Sequence, residues 1–355
     1  MRNPFSLTFG VQPEHLISRP VQKNEIIEMF SREYPSNRAY MITGVRGSGK
    51  TVLLTEICRY FQKEDHCIVV ELNPETDMLE SLASKIFHSE LCHQWLLTAK
   101  FNVSILGVGF SIENTPITSN EVLIERMLKV LKLHHIRTII AVDEASDTVF
   151  VRQFAHTFQM MIRQDYDLCL IMTGLYDNLY DLQNIKTLTF LYRAPKIFMG
   201  PLNYEMIEES YTTVFNQDKN TSVAMARMSG GYPFAYQVLG YLRWEDRGSD
   251  LKKIQSMMDS YLAEYVYDKI WHSLSQKERG IVIFLAKKSE ERHNPDGSAD
   301  IKSLREMAGL KSNEMSVYRE RLLRKGIVES RSYGKLSLVL PGFDRYALNK
   351  ELYEY

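Results

Sequence analysis

Short apolar runs alternate with stretches whose apolar residues recur at helical spacing along the first half of the chain. This alternation predicts a parallel sheet with crossover helices. Ala39-Tyr40-Met41-Ile42-Thr43 reads as the first strand, and Val52-Leu53-Leu54, Ile57 and Tyr60-Phe61 mark the helix behind it. Cys67 to Leu72 reads as a second strand, followed by a helical stretch from Asp77 to Phe87. Phe101 to Ile117 breaks the rhythm with Gly107, Gly109 and alternating apolar residues, which predicts a β-hairpin or an irregular insertion. Ser119-Asn120 supplies an N-cap for a helix that carries Val122, Leu123, Met127, Val130 and Leu131 near one face. Thr138 to Val142 is the most apolar strand, Leu168 to Met172 follows it, and Lys196 to Met199 is the fifth. Ahead of the sheet, an extended linker through Pro13 to Pro20 leads into a helical pattern at Glu25 to Phe30 and a turn at Tyr34-Pro35-Ser36-Asn37.

Beyond the fifth strand the pattern is helical from Asn203 to about His272, broken at Gly230-Gly231. Pro233 suits the first turn of a helix, where its missing N–H costs nothing. The character changes again after that. Helical stretches at Gln276–Lys288, Ile301–Ala308 and Asn313–Lys325 are followed by two strand patterns, Gly326 to Ser330 and Lys335 to Val339, around Arg331-Ser332-Tyr333-Gly334. Three helices with a tight turn and a two-stranded wing predict a winged helix-turn-helix. The divisions expected are therefore residues 1–202, 203–272 and 273–355.

At 355 residues there is room for two or three domains, and the formal net charge of −1 gives no case for nucleic-acid binding by the chain as a whole. The local balance differs. From Trp271 onward there are 16 Lys and Arg against 12 Asp and Glu. The third helix and wing carry Lys311, Arg319, Arg321, Arg324, Lys325, Arg331 and Lys335, the footprint expected for contacts to duplex DNA phosphates. Winged helices also dock proteins, and that alternative stays open. Cys58, Cys67, Cys92 and Cys169 show no metal or redox spacing and read as reduced, buried thiols. No apolar run is long enough to span a bilayer, and Met1-Arg2-Asn3-Pro4-Phe5 lacks an apolar signal-like stretch, so the expected place is the cytoplasm.

Candidate chemistry gathers at three strand ends. Gly44-Val45-Arg46-Gly47-Ser48-Gly49-Lys50-Thr51 fits G-x-x-x-x-G-K-[ST] between a strand and a helix. Its glycines let successive N–H groups turn toward phosphate oxygens, with the helix N-terminus adding further donors. Lys50 would reach the β and γ phosphates of ATP, and the Thr51 hydroxyl would ligate Mg²⁺. The most apolar strand ends in Asp143-Glu144, at the edge where open α/β sheets bind ligands. Asp143 would hold the Mg²⁺ ion and Glu144 would orient and deprotonate the attacking water. Thr173, at the end of the next strand, is either a γ-phosphate sensor or a plain strand-terminal turn residue. His134-His135 has no metal-ligand partner spacing and reads as solvated.

In this order, Gly44 to Thr51, Ile139 to Glu144, Thr173 and Arg193 resemble an AAA+ ATPase. Ser229-Gly230-Gly231-Tyr232-Pro233 is similar to the Gly-Gly-x-Pro signature of the archaeal-type and STAND ATPases, relatives of the origin-recognition initiators. The resemblance spans about residues 10 to 350. It implies an α/β fold with a five-stranded parallel P-loop sheet in the order 5-1-4-3-2, a helical lid and a C-terminal winged helix. It also implies that Thr173 is a first sensor and that Arg193 sits in the arginine-finger region, able to reach a neighbouring subunit. Two departures stand out. The entry motif Gly-Arg-Glu reads Ser18-Arg19-Pro20 here, and no second-sensor arginine stands around Gly230 to Gln237, so fast turnover in a ring is not implied. Two functions remain: an ATP-hydrolysing switch that presents a winged helix to DNA, or a nucleotide-dependent protein-interaction scaffold in defence or signalling with little turnover. A protein partner or a homo-oligomer is compatible with both, and a membrane with neither.

Overall fold

The structure, a computed structural model, describes residues 2–8, 13–98, 101–102, 111–112, 115–116, 119–291, 297–330 and 332–354. The chain divides into two compact units. One consists of Arg19–Thr43 and Lys50–Phe198; the other of Met1–Ser18, Gly44–Gly49 and Met199–Tyr355.

In the first unit α1 (Pro20–Phe30) precedes β1 (Ala39–Thr43), α2 (Lys50–Phe61), β2 (Cys67–Leu72), α3 (Met78–Phe87) and the short α4 (His93–Thr98). Then come α5 (Asn120–Leu133), β3 (Arg137–Val142), α6 (Val149–Arg163), β4 (Leu168–Gly174), α7 (Tyr176–Gln183), α8 (Thr189–Arg193) and β5 (Lys196–Phe198). The five strands are all parallel in the order β2-β3-β4-β1-β5, the expected 5-1-4-3-2. Every residue of β1, β3 and β4 is buried, as in strands covered on both faces, while the edge strands β2 and β5 keep exposed positions. Asp77, Ser119 and Thr148 cap α3, α5 and α6 by accepting first-turn N–H groups.

A buried arginine ties the start of β3 to the rest. Arg137 is 6% exposed; its Nε donates to Asp167 Oδ1 at 2.9 Å, and its other nitrogens donate to the carbonyls of Phe30, the last residue of α1, and of Glu33 beyond it. Between α4 and α5, Phe101–Asn102, Ser111–Ile112 and Thr115–Pro116 form a small antiparallel sheet, which gives the insertion its place; Gly107 and Gly109 lie outside the described residues. His134 is exposed, and its ring stacks on Trp95 at 3.9 Å between centroids.

The second unit is helical through α9 (Tyr204–Phe215), α10 (Lys219–Ser229), α11 (Pro233–Glu245) and α12 (Leu251–Leu262), which runs on through a π turn at Ala263–Tyr267 into α13 (Asp268–His272). Phe5 is anchored here rather than in an open linker. It is 2% exposed, with its ring 6.0, 5.7 and 5.6 Å from those of Tyr211, Phe215 and Tyr236. The remaining elements are α14 (Gln276–Ser289), β6 (Ala299–Asp300), α15 (Ile301–Met307), α16 (Ser312–Arg324), β7 (Val328–Glu329), β8 (Lys335–Leu338) and α17 (Phe343–Glu354). Strand β8 pairs antiparallel with both β7 and β6, so the hairpin carries a third strand drawn from the edge of the polar stretch before α15. Ile281, Val282, Leu322, Leu336 and Phe343 form the core beneath it. Among the described residues no helix is long and apolar enough to cross a membrane.

Candidate phosphate-binding site

Strand β3 delivers Asp143 and Glu144 at its carboxyl end, and the neighbouring β4 delivers Thr173 beside them. The Asp143 carboxylate is the centre of this cluster. Its Oδ2 accepts a hydrogen bond from the hydroxyl of Thr51, in the first turn of α2, at 2.8 Å. Its Oδ1 accepts from the Thr173 hydroxyl and, at 3.0 Å, from the Glu144 N–H. The Thr173 Oγ1 also receives the Glu144 N–H at 3.3 Å, and the Thr173 carbonyl receives the Ala145 N–H at 2.7 Å. Thr173 is fully buried, whereas the Glu144 side chain is exposed.

These bonds hold Glu144 at φ +52°, in the left-handed region. For a residue with a Cβ that conformation costs roughly 1–2 kcal/mol, and strained backbone of this kind clusters at functional sites. The hydroxyl of Thr51 and the carboxylate of Asp143 offer the hard oxygen donors that Mg²⁺ takes. No group of three or more His, Cys, Asp or Glu able to hold a metal exists among the described residues.

Gly44–Gly49 belongs to the second unit. The loop is tight: the Ser48 N–H donates to the Val45 carbonyl at 3.2 Å, and a Cβ on Gly44 would stand 2.7 Å from Ser48 Oγ. Gly47 has φ +76°, and a Cβ there would collide with the Tyr232 hydroxyl and stand 3.0 Å from Phe234 Cβ. Only glycine fits. The Tyr232 hydroxyl donates to the Arg46 carbonyl, and Val45 packs against Gly326, just beyond the end of α16. Lys50 follows in the chain as the first residue of α2.

Arg193 is exposed at the last position of α8, and no described contact joins it to the Asp143 cluster. The basic residues assigned to DNA divide. Lys325 is a correction to the sequence reading: its ammonium pairs with Glu278 at 3.3 Å, with the two side chains 11% and 2% exposed, so its charge is consumed inside the fold. Arg324 is exposed but pairs with Glu320 one turn earlier, Nε to Oε1 at 3.0 Å. Arg319 is half-buried, and its Nε is buried with no hydrogen-bond partner. Lys311, Arg321 and Lys335 are exposed, and Arg331 lies outside the described residues. All four cysteines are free and buried, and burial pushes the Cys58 and Cys169 thiols up to about 12.

The description "AAA domain" matches residues 35–183, which span the loop, the Asp143 cluster and Thr173. That match covers less than half of the chain. Beyond it, residues 264–347 match a domain of unknown function, DUF8462. No curated protein matches the chain. Among solved structures, the Walker-type ATPase PABY2304 of Pyrococcus abyssi is similar over 97% of this chain and 99% of its own, at 14% identity and a TM-score of 0.64. The Aeropyrum pernix ORC2 protein, solved in ADPNP-ADP complexes, is similar over 97% of both chains, at 12% identity and a TM-score of 0.57. The chain has the fold of these two proteins.

The sequence missed Tyr232 as a neighbour of the loop. The signal was present in Gly230-Gly231-Tyr232-Pro233, but a tyrosine beside paired glycines does not by itself announce which distant loop its hydroxyl reaches.

Proposed function

We propose that this protein is an ATP-binding and ATP-hydrolysing molecular switch whose C-terminal winged helix engages duplex DNA. The observation that carries the reading is the convergence of the Thr51 and Thr173 hydroxyls on the Asp143 carboxylate at the carboxyl ends of parallel strands. On this reading residues 1–202 are the ATPase core with its leading segment, 203–272 the lid and 273–355 the winged helix. Main-chain N–H groups of Gly44 to Gly49 and the Lys50 ammonium bind the phosphates. Thr51 and Asp143 hold Mg²⁺, which when bound offsets the charge of the β and γ phosphates. Glu144 orients and deprotonates the attacking water, Thr173 fixes the Asp143 carboxylate, and Arg193 serves a neighbouring copy. Binding and loss of the γ phosphate bias the presentation of the winged helix. Four buried thiols fit a reducing cytoplasm.

The test is a pair of variants. Lys50→Ala abolishes nucleotide binding, and Glu144→Gln retains binding while turnover is lost. Unimpaired hydrolysis in both would remove the site assignment.

The consumption of Lys325 by Glu278 and of Arg324 by Glu320 favours the second reading, a nucleotide-dependent scaffold whose winged helix docks a protein. A gel shift with duplex DNA separates the two. Binding that collapses with salt and weakens in Arg321→Glu supports the switch, and no shift at low salt supports the scaffold.

A further inference from the structure

Tyr232 is placed with unusual care for a residue whose ring could have packed anywhere in the lid. Gly231 before it has φ +71°, and a Cβ there would meet Pro201 Cβ at 2.9 Å and the Leu202 carbonyl at 3.0 Å. The Gly231 carbonyl accepts the Leu202 N–H at 2.7 Å, and the Tyr232 N–H donates to the Ser229 carbonyl at 2.9 Å. Pro233 then starts α11, fixing the next φ. The result is a tyrosine 4% exposed whose hydroxyl donates to the Arg46 carbonyl and lies over Gly47. Burial pushes this hydroxyl's pKa up, so it stays a donor at physiological pH.

The Arg46 carbonyl and the Gly47 N–H belong to one peptide unit. A trans peptide is planar and its C=O and N–H point in opposite directions, so a donor that grips the carbonyl fixes where the N–H points. In a phosphate loop the N–H side is the ligand side. A hydrogen bond on the carbonyl also polarises the peptide and strengthens the N–H as a donor. We propose that Tyr232 is a positioning residue: by holding the Arg46 carbonyl from the lid side, it presets the Gly47 N–H for a nucleotide phosphate. This rests on the reading of Gly44 to Thr51 as the phosphate loop. It gives the Tyr in Gly-Gly-Tyr-Pro a task that core packing does not.

The test compares the full chain with Tyr232→Phe and Lys50→Ala. Tyr232→Phe keeps the ring and removes the hydroxyl. Calorimetric titration with ADP should show roughly fivefold weaker binding, the effect of one ordinary hydrogen bond. In glycine-labelled apo protein the Gly47 amide resonance should move upfield, a change that loss of packing alone does not produce. ADP affinity equal to the parent, or an unmoved Gly47 amide, overturns the proposal while Lys50→Ala still abolishes binding. If Lys50→Ala binds ADP like the parent, the phosphate-loop reading itself fails, and the role of Tyr232 with it.

Discussion

Replacing Lys325 with methionine tests whether its charge belongs to the fold or to a ligand. At 3.3 Å and an effective dielectric of about 20, the Lys325–Glu278 attraction is roughly 5 kcal/mol, most of it offset by the desolvation of two buried ions. Removing one partner is different, because the other charge stays behind. Glu278 is 2% exposed, and its Oε1 has no hydrogen bond to fall back on, although its Oε2 keeps the Ser275 N–H at 2.8 Å. Lys325→Met should therefore cost about 3 kcal/mol, the lower end for breaking a buried pair. Urea unfolding followed by fluorescence measures it. Adding Glu278→Gln, which removes the stranded charge and leaves an acceptor for Ser275, should restore at least half of the loss. In a gel shift the single variant should keep the parent's salt dependence. A loss below about 1 kcal/mol, or a shallower salt slope, would refute the burial argument and return Lys325 to the DNA-facing set.

Two further expectations concern the core. Glu144→Gly relieves the left-handed φ of +52° and should raise stability by about 1 kcal/mol in thermal melts while turnover disappears; a variant no more stable than the parent would show that the backbone there is unstrained. The Cys58 thiol is raised from its ordinary 9.0 to about 12 by burial, so the folded state holds this proton more tightly than the unfolded chain. Its contribution is complete below pH 9 and is lost as pH rises toward 12, so stability should fall across that window, and Cys58→Ala should flatten the fall.

The sheet was legible because its central strands are buried on both faces and therefore run apolar without interruption, ending at the polar residues Asp143 and Thr173. Asp143 and Thr173 could be named from strand ends alone, and the parallel order of β3 and β4 brings them together. What escaped the sequence is what depends on distant partners. Arg137 looked like the residue before a strand, yet it is the buried anchor for α1. Lys325 looked like one more cation in a basic helix, since nothing at helical spacing announces that Glu278 lies opposite. The strand Ala299–Asp300 is too short to show a period and exists because β8 offers it an edge.

Phe5 sets a practical limit on how the protein can be handled. Its ring fills the space over Gly240, where an added Cβ would come within 2.5 Å of it, and it touches three aromatic rings of the helical region. Shortening the amino end past this residue would pull a plug from a close-packed interior, so affinity tags belong ahead of an intact Arg2-Asn3-Pro4-Phe5 and never in its place.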